Sequence, residues 1–183
     1  MPITYNLIST ETGLNTMSVK RAIDVFSVIG IAKLTRNGII FLVSHEEYID
    51  KALPYLETPI KESFFVTLDD FNKYVKSKYN LYSAGLTALQ YAPYISDKRK
   101  INANEQIFAI TKKEAVNIPD KIIMKRRYEN SDIEIQTWNY SPNICGGNPE
   151  LLSLYLSLKN IKDERVQGAL EELLEGIKYD RRT

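Results

Sequence analysis

The sequence predicts an α+β protein, with a helical N-terminal unit closed by a hairpin and joined to a mixed α/β part that has a small sheet and C-terminal helices. Three observations carry this. Helix caps and a glycine divide the first thirty residues into two helices, and an Asn-Gly pair lies between two apolar runs at 31–43. Three β-rich stretches between 106 and 138 are then followed by two leucine-rich helical stretches.

Thr4 caps a helix through about Thr12, which Gly13 ends by taking positive φ. Asn15 caps a second helix in which Val19, Ala22, Ile23, Phe26 and Ile29 share one face, and Gly30 closes it. Ile31–Leu34 and Ile39–Val43 flank Arg36-Asn37-Gly38, the pattern of a hairpin. Ser44 and Glu47 have capping-box spacing for a helix to about Leu53. Pro54 and Pro59 bracket a connection, so the domains are read as 1–57 and 60–183.

In the second domain Ser63–Thr67 reads as strand and Leu68–Tyr79 as helix. Ser83 caps a helix through Ala92 that Pro93 stops. Ile107–Ile110, Ile122–Lys125 and Ile133–Trp138 read as strands. Asn148-Pro149 reads as an N-cap with proline in the first turn, opening a helix apolar nearly all round from Leu151 to Leu158. The last helix places Val166, Ala169, Leu170, Leu173, Leu174 and Ile177 inward and Glu171, Glu172 and Glu175 outward.

Composition bounds the function. With 183 residues, 44% hydrophobic and 26% charged, the chain is globular and neither disordered nor collagen-like. A single cysteine, Cys145, excludes an internal disulfide. No apolar run spans a bilayer and no signal peptide is visible, so a cytoplasmic protein without a membrane partner is expected. The net charge of +1 hides a pattern: 1–43 is net +2, 44–60 is −3, 61–130 is +5 and 131–183 is −3.

The spacing of Ile8, Ser9, Gly13, Leu14 and Val19 suits two helices joined by a tight turn, with the hairpin as a wing. Over about forty residues this resembles the winged-helix transcription regulators. The resemblance implies that double-stranded DNA is the partner, met by the side chains the apolar face leaves out: Thr16, Met17, Ser18, Lys20, Arg21 and Asp24. Thr16, Met17, Ser18 and Arg21 would read bases, Arg21 at a guanine edge and Met17 at a thymine methyl. Lys20, with Lys33, Arg36 and Asn37 on the wing, would hold backbone or minor groove. Such regulators carry a further helix before this pair, and only Met1-Pro2-Ile3 precede Thr4, so the expectation is that the first helix is missing. Thr12 also stands where a larger apolar residue is usual.

Tyr82-Ser83-Ala84-Gly85-Leu86-Thr87-Ala88-Leu89 with Pro93-Tyr94-Ile95, and LYLSLKNIKDERVQGALEELL over 154–174 after Trp138-Asn139-Tyr140-Ser141-Pro142, carry a second resemblance. They resemble the AbiEi-type antitoxins of prokaryotic type IV toxin–antitoxin systems, in which a winged helix is joined to a mixed α/β domain. The resemblance implies an autorepressor working beside a nucleotidyltransferase-like toxin. Lys98-Arg99-Lys100, Lys112-Lys113 and Lys125-Arg126-Arg127 would extend the phosphate-contacting surface, with Lys98, Arg99, Lys100, Lys125 and Arg127 as additional contacts. On a strand, Lys125 and Arg127 share one side and Arg126 takes the other. Trp138, Tyr140 and Tyr128 are candidates for base stacking, against the plainer role of core or rim.

No catalytic, metal or cofactor site is expected. His45 is the single histidine, and Cys145-Gly146-Gly147 lacks the lysine and context of a phosphate loop. Asp120 with Glu134 and Gln136 is the nearest approach to a nuclease-like magnesium site, with glutamine where that pattern carries lysine. The other alternative is a protein-docking module using the winged helix or the acidic last helix. A palindromic operator would require a dimer, so a homodimer is expected, although no heptad seam is present.

Overall fold

The computed structural model describes residues 2–97, 106–144 and 149–179. The fold is α+β. The chain divides into two compact units, Met1–Leu56 and Glu57–Thr183.

In the first unit, α1 (Tyr5–Thr12) begins where Thr4 Oγ1 accepts the Leu7 amide at 3.2 Å and ends at Gly13, φ 69°. Helix α2 (Thr16–Val28) begins where Asn15 Oδ1 accepts the Ser18 amide at 2.8 Å. Strands β1 (Ala32–Thr35) and β2 (Gly38–Phe41) pair antiparallel, and α3 (His45–Ala52) begins where Ser44 Oγ accepts the Glu47 amide. A 3₁₀ turn at Leu53–Tyr55 follows. The core gathers Val19, Ile23, Ile31, Ala32, Ile39 and Ala52, with Tyr5, Ile8, Leu14 and Phe26 packed on it. Ala22 is exposed rather than buried; the inward stripe of α2 is Val19, Ile23 and the half-buried Phe26.

The hairpin differs from an Asn-Gly turn in one respect. Thr35 faces Gly38, so Arg36 and Asn37 are the two connecting residues, and positive φ falls on Gly38 (123°) instead of on them. Ile3 bridges Ile39, whose amide donates to the Ile3 carbonyl at 2.8 Å, and this lays the N-terminal residues against β2.

The second unit is built on β3 (Ile60–Val66), β4 (Tyr82–Ser83), β5 (Ile107–Thr111) and β6 (Ile133–Trp138), in the order β3-β6-β5-β4. Strands β5 and β6 run parallel and the edge pairings are antiparallel. One face packs on α4 (Leu68–Asp70) and the π-helical turn that continues it, Phe71–Val75, burying Phe64, Val66, Phe71, Val75, Ile110, Ile133 and Ile135. The other buries Ala84, Ile107, Ala109 and Trp138. Helices α5 (Gly85–Tyr91), α7 (Leu151–Leu158) and α8 (Glu164–Tyr179) share a third core around Leu89, Leu154, Leu170 and Leu173. The short α6 (Lys112–Ala115) follows β5 behind a capping box of Thr111 and Glu114.

Three local readings are corrected. Ile122–Lys125 is not a strand: a 3₁₀ turn occupies Asp120–Ile122, and only Met124 bridges, exchanging hydrogen bonds with Phe65 on the outer edge of β3. Its apolar residues are used as core, Ile122 being buried from the turn. Ser83 does not cap a helix; it pairs with Phe108, and the Ala84 amide donates to the Ile107 carbonyl, so the sheet holds the chain until Gly85. The cap of α7 is Glu150, whose carboxylate accepts the Leu152 and Ser153 amides at 2.9 and 2.8 Å, a charge well placed at a helix N-terminus. Pro149 precedes that helix, and Asn148 lies outside the described residues.

Asp132, only 3% exposed, accepts the Tyr128 amide at 2.8 Å and the Glu129 amide at 2.9 Å, tying the preceding turn to β6. The Glu129 and Tyr128 hydrogen bonds, helped by the Arg127 charge and opposed by burial, hold its carboxyl below the ordinary 3.8. A depressed folded-state pKa stabilises fully above the unfolded value and is lost as pH falls through the folded one. Urea midpoints taken from pH 5 down to 2 should therefore drop below about 3.8, and Asp132→Asn should flatten that limb. Superimposable acid limbs for the two proteins would refute the assignment.

Candidate nucleic-acid interface

The corner between α1 and α2 is closed by hydroxyl groups as well as by packing. Ser9 Oγ donates to the Leu14 carbonyl at 2.6 Å, and Thr12 Oγ1 donates to the Ile8 carbonyl at 2.7 Å while accepting the Leu14 amide at 3.3 Å. Thr12 thus satisfies turn groups that a larger apolar residue would leave to water.

On α2, Thr16, Met17, Lys20, Arg21 and Asp24 are exposed, and Ser18 is half-buried with its amide committed to Asn15. With 100° per residue, Met17, Arg21, Asp24 and Val28 run along the line opposite the buried Val19 and Ile23. Two of those four are apolar, and Val28 is 87% exposed. On the hairpin, Lys33 stands opposite Ile40, and Arg36 and Asn37 form the tip, all exposed. Phe41 meets Tyr48 edge-on, with ring centroids 6.1 Å apart, and Tyr48 meets Phe26 at 5.6 Å, so hairpin, α2 and α3 are braced together.

In the second unit the basic groups are arranged differently from a strand. Lys125 and Arg126 are exposed beyond the Met124 bridge, and Arg126 lies over the Tyr128 ring at 4.9 Å. Arg127 is half-buried, 5.4 Å over the Phe65 ring. Lys112 and Lys125 line one depression of about 310 Å³ with Glu62, Ser63, Phe64 and Thr137. Lys61, which the sequence reading passed over, sits in the β3 bulge beside Lys112 and pushes its ammonium below the ordinary range. Lys98, Arg99 and Lys100 lie outside the described residues.

Two base-stacking candidates have structural duties. Trp138 is fully buried, its Nε1 donating to Gln136 Oε1 at 3.3 Å, and offers no face to a base. Tyr140 packs edge-on against Trp138 and shares a 2.8 Å hydrogen bond with Ser153. Tyr128 is exposed, under Arg126.

The acid groups considered for metal have protein surroundings. Gln136 Nε2 donates to Glu134 Oε1 at 3.1 Å, so Glu134, Gln136 and Trp138 form a polar ladder along one face of β6. Asp120 opens the 3₁₀ turn, exposed, and His45 is the exposed first residue of α3. Among the described residues, no three His, Cys, Asp or Glu gather as metal ligands, and no helix is long and apolar enough to cross a membrane. Cys145, Gly146 and Gly147 are outside them. Comparison with protein-family models, with curated proteins and with solved structures finds no match for this chain.

Proposed function

We propose that the chain is a sequence-specific DNA-binding regulator of transcription, not an enzyme, and that its first unit reads the major groove with α2. The observation that carries this reading is the closed corner: Ser9 and Thr12 at the end of α1 hold Leu14 in the turn by hydrogen bonds, and Ile8 and Leu14 pack with Val19 and Ile23 of α2, while Thr16, Met17, Lys20 and Arg21 project from its solvent side. The hairpin adds Lys33, Arg36 and Asn37 for backbone contact. In this reading it is an antitoxin-like autorepressor in a prokaryotic cytoplasm, a homodimer on a palindromic operator, with a nucleotidyltransferase-like toxin as cognate partner.

The test is anisotropy of the full chain on its own upstream promoter duplex, with a scrambled duplex as control, across a salt series. Promoter-selective binding should weaken steeply with salt. The Lys20→Ala/Arg21→Ala double variant should lose about 10- to 100-fold in affinity and part of the salt slope. Equal weak binding to both duplexes, unchanged in the double variant, would sink the proposal.

A second reading follows from the apolar half of the same surface. Val28, Val25 and Met17 on α2, with Leu34 and Ile40 on the hairpin, are exposed and suit a protein partner better than phosphate. Binding carried by them would resist salt and fail in Val28→Lys.

A further inference from the structure

Tyr74 stands in the π-helical turn that continues α4, half-buried, with three lysines around its ring. The ammonium groups of Lys73, Lys121 and Lys78 lie 4.9, 5.3 and 5.6 Å from the ring centroid. The π turn carries Lys73 and Tyr74. Its wide bond, from the Lys76 amide to the Phe71 carbonyl at 2.9 Å, adds a residue to the turn. Lys78 follows in a tighter turn, its amide donating to the Val75 carbonyl at 3.0 Å. Lys121 arrives from the 3₁₀ turn at Asp120–Ile122.

No ion pair neutralises the cluster among the described residues: none of the three ammonium groups has a carboxylate within ion-pair distance. Asp70 acts on Lys73 and Tyr74 only through space, its Oδ2 accepting the Thr67 hydroxyl at 3.0 Å. The Lys73 and Lys121 ammonium groups beside the phenol hold the Tyr74 hydroxyl below its ordinary value. Three like charges around one neutral ring repel one another, and an anion at the hydroxyl edge relieves that repulsion. Long exposed stems let the ammonium groups close on it.

We infer that Tyr74, Lys73, Lys78 and Lys121 form a binding site for a phosphate group on the second unit. A phosphate oxygen takes ammonium donors from the lysines, and the phenol, with its own hydrogen, adds a neutral donor. The group belongs either to a nucleic-acid backbone or to a free phosphate or nucleotide. The site is built from residues of the second unit alone, so failure of promoter binding leaves it intact.

The experiment follows the Tyr74 ¹³Cζ resonance in the full chain, assigned by its loss in Tyr74→Phe. Inorganic phosphate should move it saturably, whereas chloride at matched ionic strength should not. Lys73→Ala and Lys121→Ala should each weaken phosphate binding about two- to fivefold, as expected for exposed charge pairs. Adenosine monophosphate binding more tightly than phosphate identifies the free-ligand source, and displacement of phosphate by a duplex of arbitrary sequence identifies the backbone. No saturable shift beyond chloride, or unchanged affinity in the Lys73→Ala/Lys121→Ala double variant, overturns the assignment. Both lysines are exposed, so melting curves of these variants should match the parent.

Discussion

Gly176→Ala should destabilise the second unit by about 2–4 kcal/mol, although alanine is the better helix former. Gly176 lies on α8, and a Cβ built there would meet Tyr94 Cγ at 2.2 Å, Cδ2 at 2.4 Å and Cβ at 2.6 Å. The ring therefore lies directly on the helix backbone and cannot give way by a small rotation. Tyr94 is also the one described non-glycine residue with positive φ, 71°, a conformation that costs a bulky residue about 1–3 kcal/mol. What compensates is the clamp that follows. Glu172 on α8 accepts both the Ser96 amide at 2.6 Å and the Ser96 hydroxyl at 2.8 Å, and Ile95 is buried in the helical core.

Gly168 is the internal control. It is on the same helix with nothing within 4 Å of a built Cβ, so Gly168→Ala should stabilise by about 0.5–1 kcal/mol. Opposite signs for two Gly→Ala changes on one helix are the expected result. In thermal melts the Gly176 variant should lose roughly 8–12 °C. Tyr94→Gly removes the ring and the backbone strain together, so in that background Gly176→Ala should cost little. An undiminished cost there would show that the overlap is not the cause.

Gly38→Ala should have a comparable effect on the first unit. A Cβ at Gly38 would lie 2.5 Å from the Ile3 carbonyl oxygen and 3.3 Å from Pro2 Cβ, at a backbone φ of 123° that alanine rarely adopts. The clash is with backbone that itself accepts the Ile39 amide, so relief requires giving up the Ile3–Ile39 bridge. The combined loss is about 3 kcal/mol. A core as small as that of Met1–Leu56 supplies about 3–5 kcal/mol in all, so the variant should leave this unit only about 0–2 kcal/mol and measurably unfolded. Hydrogen exchange should show the Ile39 and Leu42 amides losing protection while those of β6 keep theirs. Protection retained at Ile39 would contradict the argument. On the proposed DNA reading, the same variant loses the hairpin contacts from Lys33, Arg36 and Asn37.

Much of the first unit was legible because its signals are local. Thr4, Asn15 and Ser44 each cap the amide three residues on, and Gly13 ends α1 as the pattern requires. Ser9 enters the sequence pattern only through its spacing to Gly13 and Leu14; its hydroxyl bond to Leu14 could have been anticipated only with the turn geometry in hand. The exposure of Ala22 was missed because a small apolar residue at the edge of a helical stripe carries no packing information of its own.

In the second unit the misreadings share a cause. Ile122–Lys125 has the composition of a strand, but Met124 alone finds an edge to bridge and the preceding proline-led turn takes the rest. Trp138 looked available for stacking, but Ala84, Ile107 and Ala109 on its own face of the sheet, with Tyr140, cover it. The helical period assigned to Leu68–Tyr79 was 3.6, which missed the π turn, and the Tyr74 cluster was invisible because Lys121 joins it from a turn distant along the chain.

By itself, then, the sequence determined the α+β class, the caps at Thr4, Asn15 and Ser44, the hairpin and the strand at Ile133–Trp138, since each rests on interactions a few residues apart or on a strong periodicity. Tertiary structure alone decided what depends on distant partners. Phe108 keeps Ser83 in the sheet, Gly176 makes room for a strained Tyr94, and Lys121 completes the charge around Tyr74. In each case a contact tens of residues away along the chain contributes free energy comparable to the local preference and so overrides it.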